Sequence, residues 1–126
     1  MGETMTADVP ARPLIPQPSP TVSALRQAVG KIMPASLPAF ARELEQAVDE
    51  AMDPARQVAE FGPLWRFTTR WAVYVQIQRQ PQVAARFREL EDLAAELDDR
   101  EQIFTVTSEL GHILDDAFEA IGLRKP

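Results

Sequence analysis

An all-α fold, a small bundle of four to five helices behind a disordered proline-rich N-terminal tail, is what this sequence predicts. Three observations lead there. Apolar residues recur at spacings of three and four along most of the chain after residue 21, the period of a helix with one buried face. Pro34, Gly62-Pro63, Pro81 and Gly122 punctuate that pattern at places suited to helix starts and stops. The most strand-like segment finds no second segment of the same alternation to pair with. The expected organisation is a leader over residues 1–20, a helical domain over 21–122 and a short tail over 123–126.

Residues 1–20 hold five prolines. Pro10, Pro13 and Pro16 recur every third residue, the spacing of one face of a polyproline II helix. Proline removes backbone donors and restricts the residue before it, so this leader is expected to be disordered. Thr21 suits the cap of a first helix, in which Val22, Leu25, Val29 and Ile32 share a face. Pro34 closes it. Ser36 opens the next, with Pro38 in its first turn and a stripe through Leu37, Phe40, Leu44, Val48 and Met52. Asp53-Pro54 then has the form of a short helical start, ended by Gly62-Pro63.

The segment from Phe61 to Pro81 concentrates both tryptophans, the single tyrosine and two of the six phenylalanines, with three arginines and no acid. Alternation through Trp71, Val73, Val75 and Ile77 would suit a strand, but it covers only the second half. A helix from Pro63 accounts for the whole, with Leu64, Phe67, Trp71, Tyr74 and Val75 on one face and Val73 and Ile77 behind. A helix apolar on two sides belongs at the centre of a bundle. Arg66, Arg70 and Arg79 then project at its margins, where acidic neighbours can meet them.

Pro81 starts another helix, with Val83, Phe87, Leu90, Ala94 and Leu97 inward and Glu89, Asp92, Glu96 and Asp99 opposite. In the last segment Ile103, Val106, Leu110, Ile113, Ala117 and Ile121 keep helical spacing. Asp98 with Glu101 suits an N-terminal cap, and Gly122 a stop. No glycine or proline separates these two segments. At about 100° per residue, however, the stripes through Leu97 and Ile103 fall on nearly opposite faces. A turn near residues 97–102 is therefore expected, although the β-branched "IFTVT" also has strand character.

The formal net charge is −6, which disfavours direct binding of nucleic acid by the isolated chain. Its distribution is uneven: residues 61–88 sum to +5 and residues 89–119 to −10. Either arginine-rich and acid-rich helices neutralise each other, or the acidic end faces a basic partner. Without cysteine and with one histidine, thiolate chemistry and multi-histidine metal sites cannot be built within the chain. His112 beside Asp115 and Asp116, or Ser108 four residues before His112, reads as a solvated helix face. No cofactor and no enzymatic activity are expected. The N-terminus has no basic start followed by an apolar run, and no stretch approaches the ~20 apolar residues of a bilayer span. A cytoplasmic protein without membrane contact is expected.

"LPAFARELEQAVDEA" and "LWRFTTRWAVYVQIQRQPQVAARFRELE" together resemble a group of small uncharacterised actinobacterial helical proteins. Leu37, Pro38, Phe40, Leu64, Phe67, Trp71, Ile77, Pro81, Arg86 and Leu90 carry the resemblance, within residues 36–92. Proteins of this kind are similar to ones encoded beside small basic toxins, so the resemblance implies an antitoxin role. The C-terminal third lies outside it. From the residues themselves, the expected contact surface is the amphipathic last helix: Ile103, Val106, Leu110, Ile113, Leu114 and Ile121 for affinity, with Asp115, Asp116 and Glu119 around them. Its partner is a small basic protein or, alternatively, a second copy in a homodimer with a regulatory or scaffold role. The same stripe could equally close the chain's own bundle.

Overall fold

Thr21 begins the folded helices as its sequence context predicts. The protein, seen in a computed structural model that describes residues 12–53 and 62–122, has Thr21 in extended conformation with its Oγ1 accepting from the Ala24 amide at 3.2 Å. That bond satisfies one of the donors left open at a helix start. Helix α1 runs Val22–Ile32. A single 3₁₀ turn, Pro34–Ser36, leads into α2, Leu37–Ala51. Then come α3, Gly62–Gln78, α4, Pro81–Glu96, and α5, Arg100–Ile121. Among the described residues there is no strand. The turn expected at 54–61, residues 1–11 of the leader and the tail at 123–126 lie outside the described residues.

The organising element is α3, which packs against each of the other four helices. Helices α1 and α2 lean on one part of it and on each other, and α4 and α5 on another. Burial follows from that position: Phe67, Trp71, Ala72, Val75 and Ile77 are all enclosed. Phe40 of α2 enters this cluster edge-on, its ring centroid 5.1 Å from both Phe67 and Trp71. Edge-to-face pairs of this kind add to the burial of the rings themselves. Leu25 and Val29 of α1 complete it at zero exposure. The helical reading of the aromatic segment therefore holds over its strand alternative. Tyr74 differs from expectation: it sits at the edge of the cluster, 38 % exposed, with its ring 5.6 Å from Trp71.

Four further expectations change. Residues 12–20 lie against the bundle rather than apart from it. Leu14 donates to the Arg79 carbonyl at 2.7 Å, Gln17 Nε2 donates to the Ala120 carbonyl at 3.1 Å, and Ile15 packs on the core. The ends of α3 and α5 present carbonyls without helical partners, and the leader supplies donors to both. In α2, Val48 and Met52 are 41 % and 75 % exposed while Ala47 is buried; the inward face follows Phe40, Leu44 and Ala47, and the stripe's last turn runs past its neighbours. Ser36 makes no side-chain cap, because it is already in helical conformation at the end of the 3₁₀ turn. Finally, Asp99 rather than Asp98 caps α5, its Oδ2 accepting from the Gln102 amide at 3.0 Å.

Candidate functional site

The surface of interest is built on the α4–α5 hairpin. Leu97 leaves α4 in extended conformation and Asp99 is extended as well. This three-residue break resets the phase, so that Leu90 from α4 and Val106 and Ala117 from α5 can all be buried. The β-branched run after Ile103 stays helical. Thr105 and Thr107 return their hydroxyls to the carbonyls of Glu101 and Ile103 at 3.0 and 2.8 Å, an accommodation open to threonine in a helix. Gly122 ends α5 at φ 71°, the left-handed conformation glycine adopts without a Cβ clash.

Arg86 clamps the hairpin. Its Nε and Nη2 donate to the two carboxylate oxygens of Glu109 at 2.7 and 2.8 Å, and its Nη1 donates to Glu89 at 2.7 Å. Bidentate geometry makes this stronger than an ordinary surface pair. These bonds hold the Glu109 carboxyl below the usual glutamate range and raise the Arg86 guanidinium further above neutrality.

Beyond this clamp the acidic surface has no counter-ion among the described residues. Of the eleven acidic residues between 89 and 119, Glu89 and Glu109 pair with Arg86. The other nine have no ion-pair partner among the described residues. The arginines of α3, and Arg79 just after it, form no ion pair with them. Arg70 pairs with Glu43 of α2 at 2.7 Å, on the same oxygen that accepts from Trp71 Nε1 at 3.0 Å. The Arg79 Nε is buried without a hydrogen-bond partner. Mutual neutralisation of basic and acidic helices is thus confined, in this part of the chain, to Arg86.

The residues expected to form one contact surface are divided by the fold. Val106 is buried, and Ile103, Leu110, Ile113 and Ile121 are half-buried, with Ile121 packed on the core cluster. Their apolar surface is largely spent within the bundle. Leu114, Asp115, Asp116 and Glu119 are exposed. Leu114 and Asp115 border an open groove of about 370 Å³ whose walls also include Val73, Tyr74, Phe87 and Phe118, with Arg70 at the rim. Phe104, 71 % exposed, lies further along α5. Tyr74, Phe104 and Phe118 were not anticipated as surface groups. Phe104 and Phe118 fall outside the inward stripe, which is the signal by which they could have been found.

His112 is exposed, and no group of three or more His, Asp or Glu among the described residues is placed to hold a metal ion. Among the described residues no helix is long and apolar enough to cross a membrane. In comparisons with known proteins, no family model, no curated protein and no solved structure matches the chain.

Proposed function

We propose that the protein is a non-enzymatic binding module for a small basic protein, acting as an antitoxin does on a basic toxin. The observation that carries this reading is the set of nine acidic residues on α4, α5 and their junction, one of them the cap residue Asp99, that have no ion-pair partner among the described residues. A chain that needed these acids only for its own stability would pair more of them. Without counter-charges beside them, they raise the on-rate of a cationic partner, and they present it with a charge pattern like that of a nucleic-acid backbone. Affinity then comes from apolar contact in the groove beside Leu114 and Tyr74, since a few enclosed apolar side chains supply most binding energy in such interfaces.

The neighbouring gene supplies the test. Its product is expected to be short and strongly basic, and to co-purify with this chain. Stopped-flow association should accelerate at low salt, and reversing Asp115, Asp116 and Glu119 to Lys should slow it and remove the salt dependence. An unchanged rate in that triple variant refutes the steering role. A neighbouring product that is neutral or acidic and does not bind refutes the reading as a whole.

A further inference from the structure

The line Phe104, Gly111, Phe118 on α5 has a spacing that neither the packing of the bundle nor the acidic residues explain. Seven residues advance a helix by about 700°, close to two full turns, and by about 10.5 Å, so these three side-chain positions lie along one line. Phe104 is 71 % exposed, Leu114 beside the line is 42 % exposed, and Phe118 is half-buried in the groove wall. Gly111 stands at the midpoint. A glycine inside a helix is unfavourable relative to alanine, so its presence asks for a reason. The fold offers none: a Cβ added at Gly111 would meet no atom within 4 Å, and its φ is not positive.

We infer that this line is the crossing point of a homodimer, with Gly111 of one copy against Gly111 of the other. The spacing is self-complementary. A twofold axis at Gly111 runs the two α5 helices antiparallel and sets Phe104 of each copy opposite Phe118 of the other, the isologous arrangement that a closed dimer requires. A missing side chain at the centre lets the helices approach while the two aromatic pairs close on either side. One charge pair fits the same register, while Asp115, one turn after Gly111, has only Thr107 of the second copy opposite it. Arg100, the one basic residue among residues 89–119, is exposed and has no ion-pair partner among the described residues. It lies on this line one turn before Phe104, which brings it within reach of the exposed Glu119 of the second copy. Two symmetric Arg100–Glu119 pairs would flank the aromatic contacts.

This inference does not rest on the basic-partner reading, but the two share Phe118 and Glu119, so the dimer and a bound basic partner compete for this face. The dimer uses α5's outer line, whereas the inward stripe of Ile103 to Ile121 stays within each bundle. Sedimentation equilibrium on the full chain tests it. The wild type should be dimeric at tens of micromolar. Gly111→Ala should raise the melting temperature of the dilute monomer, by roughly 4 °C or more, yet weaken dimerisation about tenfold or more. Phe104→Glu should leave a monomer. Arg100→Glu should weaken the dimer, and adding Glu119→Arg should restore it. A wild type that stays monomeric at several hundred micromolar overturns the inference, as does a dimer indifferent to both Gly111→Ala and Phe104→Glu.

Discussion

Trp71 shows how one side chain can tie several elements together. Its ring meets Phe40, Phe67 and Tyr74, and its indole N–H is satisfied by Glu43, which also holds Arg70. Truncation removes a buried aromatic body and leaves Glu43 with one donor fewer. Trp71→Ala should therefore destabilise by about 3–5 kcal/mol, as large aromatic-to-alanine changes in cores do. Chemical denaturation followed by circular dichroism measures it; a loss well under 1 kcal/mol would mean that α3 is not the core. Trp71 at the core was legible from the sequence because Phe67, Trp71 and Val75 repeat at spacings of four. The cap of α5 was less legible. Asp98 and Asp99 both precede a glutamine or glutamate at suitable distance, and backbone torsion decides which one accepts a bond.

At the scale of elements, the α4–α5 hairpin depends on the Arg86 clamp as well as on Leu90 and Val106. The folded state holds Glu109 below its ordinary value because Arg86 donates to it. Its contribution is therefore fully present above the usual glutamate pKa and is lost as pH falls through the depressed folded value. Wild-type stability should drop as pH falls below the usual glutamate range, and Glu109→Gln should show a smaller drop over the same range. Thermal melts across the range decide it; parallel curves would show that the pair adds nothing linked to protons. The break between α4 and α5 was readable from helical phase, since the stripes through Leu97 and Ile103 cannot share a face. Which faces they would then find was not readable. Of the two uses that the stripe allowed, a partner or the chain's own bundle, the fold makes the second: Val106 is buried and Ile103, Leu110, Ile113 and Ile121 are half-buried, because the hairpin needs an inner face.

Over the whole molecule, the leader shows how tertiary contact overrides composition. Five prolines in residues 1–20 argue for a chain without packing, yet Leu14 and Gln17 donate to the open carbonyl ends of two helices. Leu14 is 53 % exposed, so its amide rather than its side chain is the anchor. Leu14→Ala should be close to neutral, whereas Leu14→Pro removes that donor and should cost about 1 kcal/mol. Equilibrium denaturation of the two variants separates the roles, and equal stability would place the anchor elsewhere. By itself the sequence determined the all-α class, the helical period of each element, the central place of the aromatic helix and the concentration of acid after residue 89. These are local properties, set by spacing, caps and proline. Only the tertiary structure decided which apolar stripe is spent inside, which acids are left unpaired and where the leader lies. Each of those depends on residues far apart in the chain meeting in space, and periodicity along one helix carries no information about its neighbours.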